Sequence, residues 1–409
     1  MPPTFPTASV LGAVPHGERR VRRMVRAEAT KRSTLDADHL VARLQARGVE
    51  QLRGEAAIWV LLDGSDLRKP HAQAMEHLQR VRRLKGAGTV PGYRTLNALG
   101  VGQRRRGLLY HRLFSSSADG FLSESAETQA ALASIGQALA PLAAEVTYVC
   151  DADFDDVAVW ATVWSQRHHL VCRVKHRDRL VRPAAEQPAC HLYDLAARLT
   201  PLARVETTMV VRKGKQPRPK LQPVTAVVAA VPLVVDYREE VRTRADGAEH
   251  QRQVWLVEVR LEGAHEDPWW LITDRPVTTA EEATEIFRMY RQRWAIEDAF
   301  KIGKQCLGWE DVQVLAYEAV RTLVALGWVA AGFLYELGVT LEWPEVRLLT
   351  RLGGGELRAK RPPGKLVLTR GLRRLLDLFA TEAILEDEVR QHGSLPPRIA
   401  ALLGRPLTG

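Results

Sequence analysis

Cysteine is scarce in this chain, and none of it has the spacing of a metal or redox motif. The 409 residues include four cysteines, and no two of them form a C-x-x-C pair: Cys150, Cys172, Cys190 and Cys306. Neither a zinc site on paired thiols nor a thioredoxin-like motif is therefore indicated. A disulfide framework is not expected at this length, and the simplest interpretation is buried thiols in a reducing cytosol.

Targeting and membrane-spanning segments are missing as well. The first residues, MPPTFPTASVLGAVPHGERR, have no cationic n-region before their weak apolar run, so no secretory signal peptide is predicted. The longest apolar run, from Leu323 to Tyr335, is too short to span a bilayer and suits a core helix. We expect a cytoplasmic protein without a membrane partner. The chain also has no internal repeat.

What the chain does have is an excess of positive charge on an ordinary globular composition. It is 46% hydrophobic and 26% charged, with a formal net charge of +10. Such an excess favours a polyanionic partner, nucleic acid first, although solubility alone would also explain it. Residues 19–32, RRVRRMVRAEATKR, carry seven cations and one acid. They form either a DNA-contacting arm or a solvated basic segment.

The hydrophobic pattern predicts an α/β fold with a β-rich insertion. Buried apolar runs alternate with helical patterns up to about residue 182, and alternating β-type runs then dominate without an intervening helix after about residue 200. We therefore divide the chain into a basic N-terminal segment, a core in two parts, a separate β-rich subdomain between them, and a linker with a helical tail. Their ranges are 1–50, 51–182 with 279–345, 183–278 and 346–409.

Two apolar runs lead directly into acidic residues. AAIWVLLDGSD and EVTYVCDADFDD are typical of strands buried on both faces, which end at Asp63 and Asp151. The carboxyl ends of parallel strands meet at one edge of a sheet, so the two aspartates converge if the strands are neighbours. Acids at strand ends are also common turn formers. The remaining acids of DADFDD are alternative site residues or caps of the next helix.

A third acid lies on a helix predicted for residues 289–306, MYRQRWAIEDAFKIGKQC. The predicted helix begins before this stretch, after an expected N-cap at Thr279, with Glu282 at the capping-box position. Four residues lie within about 60° of one another around the helix axis: Tyr290, Arg293, Glu297 and Lys304. A stripe that faces a hydrophobic core should be apolar, and this one is not. The plain interpretation is a solvated helix with an ion pair between Arg293 and Glu297.

Three carboxylates that meet at one point repel each other strongly in a partly buried site. A divalent cation removes that repulsion, and carboxylate oxygens select Mg²⁺ or Mn²⁺ rather than zinc. Two such ions about 3.5–4 Å apart activate a water molecule and stabilise the leaving oxygen in phosphodiester chemistry. Arg293 and Lys304, on the same stripe as Glu297, would face the phosphates.

These motifs resemble those of one enzyme family. Tyr290-x2-Arg293-x3-Glu297-x6-Lys304 matches the signature of DDE transposases of the insertion-sequence-four group. LLDGSDL and VCDADFD resemble the first-acid and second-acid motifs of that group. The resemblance covers about residues 55–335. It implies a ribonuclease-H-like core interrupted by a β-rich insertion domain, with helical terminal segments.

The resemblance also implies a reaction and its partners. Asp63, Asp151 and Glu297 would be catalytic and would hold two Mg²⁺ or Mn²⁺ ions. Water would cut the DNA at a transposon end, and the freed 3′-hydroxyl would attack target DNA. The substrate would be double-stranded DNA with terminal inverted repeats, bound by a homodimer in a synaptic complex at the nucleoid. Tyr290 and Arg293 would hold the backbone near the cleaved end, with Lys304 close to the scissile phosphate.

Three further residues are candidate DNA contacts. Similar transposases stack a tryptophan of the insertion domain on a flipped base, and DPWWLITDRPV resembles that segment, with Trp269 favoured over Trp270. A core tryptophan is the alternative. Arg173 and Lys175 alternate with apolar residues on a predicted strand and share one face, which is either a DNA contact or a solvated edge.

Two other functions stay open. Only about 50 residues precede the first core strand, whereas many relatives carry a larger N-terminal DNA-binding domain. A catalytically silent DNA-binding derivative of a transposase is therefore one alternative. A stand-alone metal-dependent nuclease without a joining step is the other.

Overall fold

The computed structural model describes residues 36–211, 220–238, 249–263, 267–357 and 364–403. The chain divides into two compact units. Of the described residues, those within 41–71 and 77–298 form the sheet unit, and those within 36–40, 72–76 and 299–403 form the helical unit. The basic segment 19–32 lies outside the described residues, so its expected contact with DNA stays a prediction.

Twelve strands are present among the described residues, all in the sheet unit. Their bounds are β1 Ala57–Arg68, β2 Gln79–Arg82, β3 Thr89–Val101, β4 Arg106–Phe114, β5 Glu145–Cys150, β6 His169–Arg173, β7 Leu180–Val181, β8 Cys190–His191, β9 Thr200–Val211, β10 Lys220–Arg238, β11 Glu249–Leu261 and β12 Trp269–Thr273. Ten of them form one sheet in the order β2-β3-β1-β5-β6-β12-β11-β10-β9, with β4 paired to β3. β7 and β8 pair separately.

The sheet is mixed, which agrees with the predicted α/β class. β1 pairs in parallel with β5, and β5 pairs in parallel with β6. The other strand pairs of the described residues are antiparallel, including β1 with β3 and β12 with β6. The two strands predicted to carry the acids are therefore neighbours near the middle of the sheet.

The β-rich segment does not form a sheet of its own, and the expectation of a separate subdomain is wrong in this respect. β12 pairs with β6 through Leu271 opposite Arg173, so β12, β11, β10 and β9 extend the central sheet. The segment belongs to the same compact unit as the first part of the core. The reason is the edge of β6, whose backbone groups need partners that β12 supplies.

Ten α-helices are described. Their bounds are α1 Ala37–Gln51, α2 Glu124–Leu139, α3 Val157–Ser165, α4 Leu192–Leu195, α5 Ala280–Gln292, α6 Ala295–Lys301, α7 Tyr317–Thr340, α8 Trp343–Leu352, α9 Lys365–His392 and α10 Pro397–Leu403. A π-helical segment, Ile302–Cys306, follows α6. The predicted capping box of Thr279 and Glu282 at α5 is confirmed. The N-cap of α2 is Ser123, whose side chain accepts a hydrogen bond from Ala126 N.

The main core lies between one face of the sheet and helices α2 and α3. Alternate residues of β1 point into it, and the same cluster contains leucine, isoleucine and tryptophan side chains of the helices. Those named here are all fully buried: Ile58, Val60, Leu62, Leu132, Ile135 and Trp160. The residues of β1 between these positions face the opposite side of the sheet. Asp63, the residue after Leu62, lies on that opposite side as well.

The helical unit is built around α7. Its buried side chains include Val320, Val324 and Trp328, and Trp328 packs against Trp309 with ring centroids 5.1 Å apart. A Cβ atom at Gly327 would lie 2.2 Å from Nε1 of Trp309, so this glycine is required for the close approach. The predicted tail contains a long helix, α9, of 28 residues.

Within the described residues, one stretch, Tyr317–Leu337 of α7, is long and apolar enough to cross a membrane. Half of it is buried in the fold. The core helix of a folded domain meets the same criterion, which is the interpretation given to Leu323–Tyr335 from the sequence.

Candidate active site

Asp63 and Asp151 follow paired positions on neighbouring parallel strands. β1 and β5 are in register up to Leu62 opposite Cys150, and each aspartate is the next residue. The two strands are therefore neighbours, which was the condition for the two aspartates to converge. The expected end of the first strand at Asp63 is wrong, because β1 continues to Arg68 by antiparallel pairing with β3.

Arg293 lies between the two aspartates. Its Nη1 atom donates a hydrogen bond to Asp63 Oδ2 at 3.0 Å and lies 3.4 Å from Asp151 Oδ2. The two carboxylate oxygens are therefore no further apart than the sum of those distances, which is within reach of two ions about 3.5–4 Å apart. Glu297 is close enough for its charge to act on the pKa values of both Asp63 and Arg293.

A break between two helices places Arg293 and Glu297. α5 ends at Gln292, and Arg293 follows as its C-cap. Three backbone hydrogen bonds across the break connect residues three apart, including Arg293 N to Tyr290 O and Glu297 N to Trp294 O. This tightening resembles a 3₁₀ turn, with about three residues per turn. The prediction of one continuous helix over 289–306 is therefore wrong, because the four signature residues lie on two helices, the break between them and a π-helical segment.

Burial raises the pKa of Asp63 to about 7, well above its ordinary value. The negative charges of Asp151 and Glu297 act in the same direction, while Arg293 and the backbone N–H of Gly64 hold the pKa down. The arginine therefore compensates only part of the cost of burying this carboxylate. A site with this property gains from a second positive charge.

We expect Asp63 to make the protein less stable as the pH rises. Its pKa is about 7 in the folded chain and about 3.9 in an unfolded one, so the folded state binds its proton more tightly. The contribution of Asp63 to the free energy of unfolding is complete below about pH 4 and is lost as the pH rises to about 7. The total loss is up to about 4 kcal/mol. Chemical denaturation of the wild type and Asp63→Asn between about pH 5 and pH 8 measures it. A pH-independent difference between them contradicts the prediction.

An aromatic cluster borders the acid pair. The ring of Trp269 lies 5.5 Å from Tyr290 and 5.4 Å from Trp294, centroid to centroid. Trp269 is 8% exposed and Tyr290 is fully buried, whereas Trp294 is 37% exposed. Burial raises the pKa of Tyr290 to about 12, and Arg173 lies near enough to oppose that increase. Trp294, which the sequence analysis did not single out, is the exposed indole of the cluster.

Trp269, the tryptophan predicted to stack on an unpaired base, is 8% exposed, whereas Trp294 beside it is 37% exposed and is the better placed of the two for that predicted role. Trp294→Ala is expected to weaken binding of a DNA duplex with a frayed end by about 1–3 kcal/mol, the value of one base–aromatic stack. Trp343, an exposed tryptophan of the helical unit, provides the matched control, and Trp343→Ala should leave affinity unchanged. Fluorescence anisotropy measures both. Equal affinities for wild type and Trp294→Ala contradict the assignment.

The remaining predicted contacts lie in different environments. Arg173 is the last residue of β6, beside Tyr290. Lys175 lies beyond the end of β6 and is exposed, so the two do not share a strand face as expected. Lys304 belongs to the π-helical segment of the helical unit, and its Nζ is 3.8 Å from Glu310 Oε1. The roles of all three in binding DNA stay predictions.

The acid pair fits a hard cation by its donor set. Both aspartates already direct an oxygen at one cationic nitrogen, and carboxylate oxygens are the ligands that Mg²⁺ and Mn²⁺ prefer. Across the part of the chain that the structure describes, no three His, Cys, Asp or Glu side chains are grouped so as to hold a metal ion. In this arrangement the cation between the aspartates is the guanidinium of Arg293.

A buried polar network lies beside Asp63 and escaped the sequence analysis. Asn97 pairs across the strands with Asp63 on one side and His111 on the other. Its side chain lies 2.7 Å from His111 Nδ1 and donates to Thr95 Oγ1 at 3.0 Å. The available signal was Asn97, a polar residue within the apolar second half of YRTLNALGV, with Thr95 two positions before it.

No protein-family model matches the chain, and no curated protein matches its sequence.

Proposed function

We propose that the protein is a DDE-type DNA transposase with a ribonuclease-H-like core. The observation that carries the proposal is the meeting of Asp63 and Asp151 around Arg293, with the charge of Glu297 close by. These residues come from three distant parts of the sequence, and they belong to the motifs that resemble those of the family. The mixed sheet with both aspartates on neighbouring parallel strands supports the same proposal.

The residues of the site have distinct roles in the proposed reaction. Asp63, Asp151 and Glu297 would hold two Mg²⁺ or Mn²⁺ ions, which supply an activated water and stabilise the leaving oxygen. Arg293 binds a phosphate of the DNA backbone through its planar fork. Tyr290 and Trp269 support Trp294, which stacks on a base at the DNA end. We propose a homodimer acting on paired DNA ends at the nucleoid.

End-labelled DNA that carries the sequences flanking the gene tests this function directly. With Mg²⁺ or Mn²⁺, we expect a cut that exposes a 3′-hydroxyl at each end, followed by joining of that end to a target plasmid. Hydrolysis without joining would indicate a nuclease. Tight binding without any strand cleavage, even with Mn²⁺, would indicate a silent DNA-binding derivative.

A further inference from the structure

Arg293 fills the place of a cation in the acid pair. Its guanidinium is buried, and a single nitrogen contacts both Asp63 and Asp151. A Mg²⁺ ion between the same oxygens would lie about 2.1 Å from each of its ligands. Such an ion and the nitrogen cannot stand between the two oxygens together, so Arg293 has to leave before the aspartates can hold an ion.

We propose that Arg293 is an internal counter-ion that keeps divalent ions out of the acid pair until DNA binds. A DNA phosphate then replaces the aspartates as the partner of its guanidinium. This inference rests on the proposed function and deepens it, because it couples the binding of ions to the binding of DNA. In the free protein the arginine neutralises the aspartates. In the DNA complex it neutralises a phosphate, and the aspartates become ligands.

The surroundings of Arg293 allow this exchange. The residue lies at the break between α5 and α6 rather than inside a helix, so its side chain can turn without disturbing a full helical turn. Its buried Nε has no hydrogen-bond partner among the described residues, so the present position leaves part of the guanidinium unsatisfied. A phosphate offers bidentate hydrogen bonds to that fork.

Trp294 also contacts the guanidinium in its present position. Its ring centroid lies 5.4 Å from Cζ of Arg293, within the range of a cation–π contact. The indole is partly exposed, so a guanidinium that remains over it can reach a phosphate at the surface. The ring therefore already contacts the guanidinium while it lies at the acid pair, and it can keep that contact when the aspartates release the arginine.

The coupling is reciprocal by thermodynamic necessity. If DNA raises the affinity for the ion by some factor, the ion raises the affinity for DNA by the same factor, which is typically about 5- to 150-fold. An ion would then bind weakly to the free protein and tightly to the DNA complex. Without DNA, the acid pair would therefore lack the ions that activate water.

Binding of Mn²⁺ to the full chain, followed by electron paramagnetic resonance, tests the inference without an activity measurement. For wild type we expect weak binding that a blunt DNA duplex strengthens by about 5- to 150-fold. Arg293→Gln should bind Mn²⁺ without DNA about as tightly as the wild type does with DNA, and should gain little when DNA is added. Asp63→Asn should abolish the tight binding, which locates the ion at the acid pair.

Arg173→Gln is the matched control, because it removes another positive charge beside Tyr290. An equal gain in Mn²⁺ affinity for Arg173→Gln and Arg293→Gln would show a general charge effect and overturn the inference. Equal affinities for wild type and Arg293→Gln without DNA overturn it too, while leaving the proposed function intact. No Mn²⁺ binding to any form overturns both. If Arg293→Gln does not fold, the wild type with and without DNA, compared with Arg293→Lys, decides the question.

Discussion

Replacing Asp63, Asp151 or Glu297 singly by its amide is expected to lower the rate of DNA end cleavage by at least about a thousandfold. Metal ions supply several kcal/mol of transition-state stabilisation, and each 1.36 kcal/mol is about tenfold in rate. An amide keeps the size of the side chain but removes the negative charge that holds the ion. Because the ions are shared, each acid is needed, and the losses should be similar. Cleavage of end-labelled DNA under single-turnover conditions measures them.

Each of the three acids has a neighbouring acid that serves as a control. Asp66 lies three residues after Asp63 on β1 and pairs with Arg68 at 3.6 Å. Asp153 and Asp298 stand close to the other two acids in the sequence. The corresponding asparagine variants should cleave at the wild-type rate. A full rate in any one of Asp63→Asn, Asp151→Asn or Glu297→Gln would refute the shared site.

The stability of the Asp63→Asn variant shows whether its loss of cleavage comes from the missing carboxylate or from a damaged fold. Because burial raises the pKa of Asp63, its charged form is unfavourable in the folded chain above neutral pH. Asparagine carries no charge, so this variant should be at least as stable as wild type at about pH 8. A fold that becomes more stable while cleavage is lost is the pattern expected of a residue kept for its chemistry.

The sequence was sufficient to predict two acid-bearing strands, but it left open whether they are neighbours and it misplaced the end of the first one. Gly64, Ser65 and Asp66 are typical of a turn, which led to a predicted strand end at Asp63. In the structure these residues remain in β1, because β3 offers antiparallel partners from Asn97 opposite Asp63 to Gly92 opposite Arg68. Pairing with a distant strand outweighs a local preference that is worth only about 1 kcal/mol.

The spacing in the sequence was sufficient to identify the signature residues, but it did not predict the helix break that separates them. Periodicity treats MYRQRWAIEDAF as one helix, and no proline or glycine marks the break after Gln292. The break becomes understandable from tertiary contacts, because the buried Arg293 reaches Asp63 from the C-cap position. An ion pair between residues 230 positions apart cannot be inferred from local pattern.

The β-rich segment illustrates the same limit at the level of the sheet. Three of its strands were recognised from alternating runs, and they correspond to β9, β10 and β11. That β12 would pair with β6 depends on residues about a hundred positions apart, such as Leu271 and Arg173. Nothing in the alternation distinguishes a strand that extends an existing sheet from one that starts a new sheet.

Asp155→Ala is expected to cost about 3–5 kcal/mol of stability, the usual result of removing one partner of a buried ion pair. Its side chain is fully buried and accepts two backbone hydrogen bonds, from the N–H groups of Lys175 and His176, each at 2.7 Å. Arg179 donates to the same carboxylate and stacks on the ring of Trp160 at 4.6 Å. Alanine would leave a largely buried guanidinium and two N–H groups without their acceptor.

Other acids of DADFDD supply the comparison. Asp156 caps α3 through a hydrogen bond from Ala158 N at 2.9 Å, as expected of a helix cap, and its alanine variant should cost about 1 kcal/mol. Asp153 is exposed, and its alanine variant should remain within about 0.5 kcal/mol of wild type. Urea denaturation measures all three. Equal losses for Asp153→Ala and Asp155→Ala would contradict the assignment.

A second substitution, at Arg179, identifies why Asp155→Ala loses stability. Replacing a buried ion pair by apolar residues is often neutral, because no uncompensated charge remains. Asp155→Ala combined with Arg179→Met should therefore be more stable than Asp155→Ala alone, although the N–H groups of Lys175 and His176 still lack their acceptor. That residual loss measures how firmly Asp155 fixes the chain just after β6. Because the same carboxylate lies four residues beyond Asp151, a loose anchor here should also lower the affinity of the acid pair for Mn²⁺.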